Sequence, residues 1–282
     1  MADHTRLEPT AALVMLWSEQ LYRTGSAARF YSLLDLSAGE NLRQECERTC
    51  PWYSEVLLNR KSWIRTLAGR FIRGAGRPCQ IIIMAAGKSP LALELLDDCG
   101  DAIRSIIETD IHGMEDKQRL YNNAAPQHAK KIRCVTADLS DIPGTIVALR
   151  GTGRYDPALP ACVVMEGISY YLPPAILSGV AEQFASPDGT NRIIFDYLLP
   201  CRLVHEERQK YPRGVWRAIN RDCNPGGTTT YSGQELDNIL ATAGCSRIFH
   251  HTMHDIERER TGTNRFFSAP ADGWIQIAEG GL

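Results

Sequence analysis

Five positions in the middle of the chain could build a ligand site. Gly87, Asp110, Asp138, Glu166 and Asp196 each stand where an apolar run ends. They follow one another at intervals close to the ~30 residues of a βαβ unit. A carboxylate at a strand end can accept hydrogen bonds from hydroxyl and amino groups, and a glycine there lets a ligand approach the backbone. In open α/β sheets ligands bind at the carboxyl ends of the strands, near the point where the strand order reverses. Any one of these acids could serve only as a solvated turn residue. The regular set of them points to a ligand edge.

The turn in "QIIIMAAGKSPLALELL" (80–96) narrows the ligand. A P-loop needs G-x-x-x-x-G-K-[ST], but the first glycine position is Ile82, and Pro90 follows Lys88 and Ser89 without a backbone N–H. A dinucleotide turn needs G-x-G-x-x-G, and here those places hold Ala85, Gly87 and Pro90. Both phosphate readings fail because the backbone cannot approach a pyrophosphate closely. A nucleoside without phosphate fits better. Asp110 lies ~20 residues beyond the glycine turn, where a carboxylate takes the ribose hydroxyls, and Asp138, one strand on, can accept from an adenine amino group. That pattern is expected for S-adenosylmethionine (SAM). In "SEVLLNRKSWIRTLAGRFI", Val56, Arg60 and Ile64 fall four residues apart on one helix face. An arginine facing a core needs an anion. Either its stem packs while the guanidinium reaches solvent, or Arg60 clamps the carboxylate of the methionine moiety.

The elements that must carry these residues are legible from apolar periodicity. Residues 1–73 read as helical and are expected to form a cap or substrate-covering segment, with 74–282 the ligand-binding α/β domain. Strands are expected at 79–84, 102–110, 132–138, 161–166 and 192–196, with "RIFHHTM" and "GWIQIA" as two last strands. Helices are expected at "SPLALELLDDCG" (Ser89 as N-cap, Pro90 as first helical residue), "GMEDKQRLYNNAA", "PPAILSGVAEQFAS" and "SGQELDNILATAGC", the last with a Ser232 capping box. Strands alternating with helices imply a mostly parallel, doubly wound sheet covered on both faces.

Composition sets the class. The chain has 282 residues, is 44% hydrophobic and 23% charged, and carries a net charge of −2. No global positive field draws nucleic acid, and the run Arg60, Lys61, Arg65, Arg70, Arg73, Arg77 lacks interleaved aromatics on one surface, so a solvated face is expected. Nine scattered cysteines without a CxxC pair read as reduced thiols of a cytoplasmic protein. No apolar run approaches the ~20 residues of a membrane helix, and the start lacks the basic region and cleavage site of a secretory leader. The histidines of "HHTMH" (250, 251, 254) have no acid partner at metal-site spacing, so no metal is expected.

At these residues the chain resembles the leucine carboxyl methyltransferase family of class I SAM-dependent methyltransferases, including its bacterial natural-product members. "LLNRKSWIRT" is similar to the family's Asn-Arg-Gly-Tyr-x-x-Arg segment, whose arginine binds the SAM carboxylate, which implies Arg60. "IIIMAAGKSPLALEL" resembles the family's glycine loop, with Ala85 in place of the usual first glycine. "IETDIHGMEDKQRL" is similar to the Glu-x-Asp-x-Pro-…-Lys segment, with His112 for proline, which implies Asp110 as the ribose ligand and Ile111 beside it in the cosubstrate set. "VTADLSD" implies Asp138 and Leu139 around adenine, and "VVMEGISYYLP" implies Glu166 and Tyr171. The resemblance implies a Rossmann-like seven-stranded sheet with an N-terminal helical cap.

A sulfonium methyl is already electrophilic, so the protein has mainly to align an acceptor and exclude water, with a general base optional. Tyr170 and Tyr171, with Glu166, are the expected catalytic set, and ring faces can hold the cation. Trp52 and Tyr53 in "CPWYSE" are expected at the substrate unless they only pack. Three functions follow. One is methyl transfer from SAM to an O, N or C acceptor of a small molecule in a biosynthetic pathway. Another is cyclisation of SAM's own aminobutyrate chain to a four-membered azetidine, releasing methylthioadenosine. The third is a non-catalytic SAM-fold binding protein.

Overall fold

The computed structural model describes residues 4–223 and 227–282. The N-terminal stretch is helical as expected, with α1 (Pro9–Trp17), α2 (Gly25–Tyr31), α3 (Glu40–Thr49) and α4 (Tyr53–Gly74). It also holds two short strands that the sequence reading does not contain, β1 (Thr5–Arg6) and β2 (Leu34–Asp35), paired in parallel. From there strands and helices alternate: β3 (Cys79–Met84), α5 (Leu91–Cys99), β4 (Ile103–Asp110), α6 (Met114–Ala124), α7 (Pro126–Ala129), β5 (Ile132–Thr136), α8 (Ile142–Gly151), β6 (Ala161–Met165), α9 (Pro174–Gln183) and β7 (Arg192–Leu198). The remainder is α10 (Lys210–Cys223), α11 (Gly233–Thr242), β8 (Ser246–Thr252), α12 (Met253–Thr261) and β9 (Ile275–Gly281).

The large sheet has seven strands in the order β5-β4-β3-β6-β7-β9-β8, parallel except for β9, which runs antiparallel to β7 and β8. Branched apolar residues fill both of its faces, and every residue of β3 and β6 is buried. Alternate side chains enter opposite cores. Ile82, Met84, Val163 and Phe195 join one cluster, and Ile81, Ile83, Cys162 and Val164 the other. The strand order reverses between β3 and β6, whose registers pair Met84 with Met165. That register sets the turn after β3 beside Glu166. On the other side Met84 pairs with Thr109, and Asp110 pairs with Thr136. The predicted ligand residues therefore line up along one edge.

Boundaries differ from the sequence reading in ways that have causes. The expected strands 132–138 and 161–166 end at Thr136 and Met165, leaving Asp138 and Glu166 in the loops beyond. β7 does not stop at Asp196 but runs to Leu198, because β9 pairs with it as far as Ile275. Pro90 is not the first helical residue. It occupies the cap position with φ −87° and ψ 20°, so α5 starts one residue later and Ser89 makes no cap bond. The Ser232–Glu235 capping box of α11 forms as expected. α8, α10 and α12 were not anticipated. α10 carries Pro212 and Gly214 in its first half, which mask its apolar periodicity. Among the described residues no helix is long and apolar enough to cross a membrane.

Candidate active site

The turn after β3 is built from unusual backbone. Ala85 and Gly87 both lie in the left-handed region, with φ of 50° and 47°. That conformation costs an L-residue ~1–2 kcal/mol, which glycine avoids and Ala85 does not. A Cβ on Gly87 would meet no heavy atom within 4 Å, so the turn presents open space there. The Gly87 N–H donates to Asp110 Oδ2 at 2.8 Å, and the Ile111 N–H to Asp110 Oδ1 at 2.8 Å. Asp110 thus joins the glycine turn to the end of β4. Ile111 is 50% exposed beside it. Asp138 is exposed, and its Oδ1 accepts from the Ser140 N–H at 2.8 Å, a bond that holds its carboxyl below the usual range. Leu139 next to it is buried.

Opposite this turn sits a cluster of buried charge. Arg60 on α4 is only 4% exposed, its face shared with buried Val56 and Ile64. Its Nη2 reaches Glu166 Oε1 at 3.1 Å, and its Nη1 donates to Tyr170 Oη at 3.2 Å and Asp196 Oδ2 at 3.4 Å. Lys61, the next residue and also buried, lies 2.8 Å from the same Glu166 Oε1 and donates to Ser89 Oγ at 3.2 Å. Burial works to raise the Glu166 carboxyl, but Lys61 and Arg60 outweigh it and hold it down at about 2. Glu166 is therefore a fixed anion and a poor proton acceptor. Asp196 is wholly buried; burial pushes its carboxyl up against the pull of Arg60, and its Oδ1 accepts from the Gly167 N–H at 2.6 Å.

A cavity of about 220 Å³ opens between these two halves. Arg60, Lys61 and Glu166 form its charged part, and Ala85 to Ser89 one wall. Aromatic walls come from Trp17, Tyr53, Tyr170, Tyr171 and Trp216, and α1 adds Leu13, Val14 and Met15. Tyr170 stands 4.8 Å from Tyr171 and 5.0 Å from Trp216 between ring centroids, both edge-on. Asp110, Ile111, Asp138 and Leu139 do not line this cavity and lie further along the strand edge.

The sequence-predicted residues are thus distributed unevenly. Arg60, Ala85, Gly87, Glu166, Tyr170, Tyr171 and Tyr53 meet at the cavity. Trp52 does not. Its ring packs with Tyr211, Phe266, Phe267 and Trp274 at centroid distances of 5.1 to 5.8 Å, with the Arg208 guanidinium 5.3 Å from its centre. The helix starts at Tyr53, and successive residues diverge where it begins, so neighbours in sequence face different sides. Lys61, Trp17 and Trp216 line the cavity and were not singled out as site residues. The solvated face expected for the basic run does not hold at Arg60 and Lys61, which are buried against Glu166; a second basic residue directly after Arg60 was the available signal for Lys61.

The charged set suits an amino-acid-bearing nucleoside. A zwitterion needs both signs, and Arg60, Lys61 and Glu166 supply them beside the open space at Gly87. Arg60 Nε is buried and has no hydrogen-bond partner among the described residues. The basic run beyond Arg60 is taken up locally: Arg65 pairs with Asp98 and Glu94, and Arg70 with Glu259. His250 lies between Tyr197 Oη (2.7 Å) and Asp237 (2.9 Å), and His251 beside Glu279 (3.2 Å). Among the described residues no group of three or more His, Cys, Asp or Glu side chains could hold a metal ion.

A family profile described as leucine carboxyl methyltransferase matches residues 17–185, more than half of the chain. No curated protein matches. Among solved structures, a DUF574 family protein of Streptomyces avermitilis superposes with a TM-score of 0.69 at 12% identity, covering 98% of this chain and 97% of that one. A putative methyltransferase of Thermobifida fusca gives 0.67 at 15% identity, covering 97% and 95%. At these identities the likeness is one of fold, and the profile match carries the family: the chain belongs to the leucine carboxyl methyltransferase family of SAM-dependent methyltransferases.

Proposed function

We propose that the protein transfers the methyl group of SAM to a small-molecule acceptor held in the aromatic chamber under α1 and α10. The observation that carries this reading is the buried Arg60–Lys61–Glu166 set facing the open turn at Gly87. In this reading Arg60 takes the carboxylate and Glu166 the ammonium of the methionine moiety. Asp110 takes the ribose hydroxyls, and Ile111, Asp138 and Leu139 flank adenine. Ala85 and Gly87 give close backbone approach. The sulfonium then points toward Tyr170, Tyr171, Tyr53 and Trp216, whose ring faces can stabilise a cation. Residues 1–73 act as the cover of the site, and α1 contributes its roof. The chamber's chemistry is alignment and exclusion of water rather than proton abstraction, because Glu166 is locked as an anion. The free thiols of the eight described cysteines go with a reducing, cytoplasmic setting.

A second reading is favoured by Arg60, Lys61 and Glu166, charged groups gathered at one end of that chamber where they could hold SAM's aminobutyrate chain. SAM's own α-amine would attack its γ-carbon. The N–C bond forms as the C–S bond breaks, the amine gives up a proton to water, and methylthioadenosine leaves with an azetidine amino acid as the other product. One incubation separates the two. Purified protein is mixed with SAM alone, then with SAM and a small-molecule extract, and the nucleoside released is identified. The first reading expects S-adenosylhomocysteine that appears only with the extract. Methylthioadenosine from SAM alone would overturn it in favour of the second.

A further inference from the structure

Beneath the glycine turn lies a buried polar network that takes no part in the reading above. Lys117 on α6 and Glu108 on β4 are both 0% exposed, and Lys117 Nζ lies 2.8 Å from Glu108 Oε2. The same ammonium donates to the Ala86 carbonyl at 3.1 Å. Tyr121 Oη lies 3.0 Å from each Glu108 oxygen, and Lys117 Nζ sits 5.6 Å from the Tyr121 ring centre. A buried ion pair is a poor way to gain stability, because desolvating both charges offsets their attraction, and apolar replacement of both partners is often neutral. What this pair does that an apolar pair could not is hold Ala86.

Ala86 is the middle residue of the turn. Its N–H donates to the Thr109 carbonyl at 2.9 Å, while its carbonyl receives Lys117 and also the Ser89 N–H at 3.2 Å. On either side stand Ala85 and Gly87, both in the left-handed region. An alanine holds that conformation only where its surroundings over-determine it. Lys117 supplies a charge-assisted bond from below, and Glu108 anchors the ammonium so that it stays under the turn.

We propose that Lys117, seated by Glu108, is a positioning residue for SAM binding: it fixes the Ala86 carbonyl and so holds the Ala85–Gly87 turn in the form that meets the cosubstrate. This rests on the SAM reading of the site. The single variant Lys117→Met leaves Glu108 buried and unpaired and invites unfolding. The decisive variant is therefore the double exchange Lys117→Met with Glu108→Gln, which removes both charges and keeps an acceptor for the buried Tyr121 hydroxyl. Thermal unfolding and calorimetric titration with SAM are measured on it and on the unaltered protein. The expected result is a folded protein with a melting temperature near that of the parent, a SAM Kd raised about tenfold or more, and a KM for SAM that rises by more than kcat falls. A folded double variant that binds SAM with the parent's affinity overturns the proposal. A second readout needs no substitution: on titrating the unaltered protein with SAM, the protected 15N signal of the Lys117 ammonium should shift. A signal that stays in place at saturation also overturns the proposal. Failure of the unaltered protein to bind SAM would refute the underlying reading instead, so the two failures are distinguishable.

Discussion

Arg60 is the residue on which the site's electrostatics turn. It neutralises Asp196 and shares Glu166 with Lys61, all within a buried volume. Removing one partner of a buried pair leaves an uncompensated charge and typically costs ~3–5 kcal/mol. Arg60→Ala should therefore lower unfolding free energy by about that much in urea titrations. In protein that remains folded, SAM affinity should fall more than adenosine affinity, since only SAM carries the carboxylate. Equal losses for the two ligands would point to packing instead. Ala85 gives a prediction of opposite sign. Glycine relieves the left-handed strain of ~1–2 kcal/mol but gains ~0.5–1 kcal/mol of unfolded-state freedom. Ala85→Gly should thus be neutral or stabilising by up to ~1.5 kcal/mol, and a loss above ~1 kcal/mol would contradict the strained turn.

The seam between α4 and α5 carries a pH dependence. Glu94 on α5 is 7% exposed; burial pushes its carboxyl up to about 7, against the opposing pull of Arg65 and Lys61 and with help from Glu166 and Asp98. Arg65 Nη1 donates to it at 3.1 Å. A carboxyl with a raised folded-state pKa favours folding while both states are protonated. That contribution is complete below the ordinary value of 4.5 and is lost as pH rises to about 7. Unfolding free energies measured across this window should decline more steeply for the native sequence than for Glu94→Gln. Equal slopes would contradict the burial of a titrating carboxyl here.

Elements also show what could be read in advance. The parallel strands announced themselves through branched apolar runs, and the acids closing those runs fell on one edge because parallel register aligns strand ends. Asp196 was legible as one of those acids, but its burial beneath Arg60 was not, since pairing across the sheet is invisible in a linear pattern. Trp52 was misplaced for a local reason: the helix begins at the very next residue and turns the two aromatics apart. Trp216 was missed because Pro212 and Gly214 broke the periodicity that would have marked α10. Pro90 misled by one position, since a residue without an N–H suits the cap as well as the first turn.

The chain combines a strand edge along β3, β4 and β5, proposed to hold the nucleoside, with an aromatic-lined cavity beyond β6, and Gly87 and Glu166 line the cavity where the two meet. In the proposed function the first holds the cosubstrate and the second receives its sulfonium. Titration calorimetry with SAM on the native protein and on Asp110→Ala tests this junction most directly. The expected result is saturable binding of about one SAM per chain, weakened in Asp110→Ala by ~1–3 kcal/mol through loss of charge-assisted hydrogen bonds. Absence of SAM binding by the native protein, or equal affinity in the variant, would contradict it.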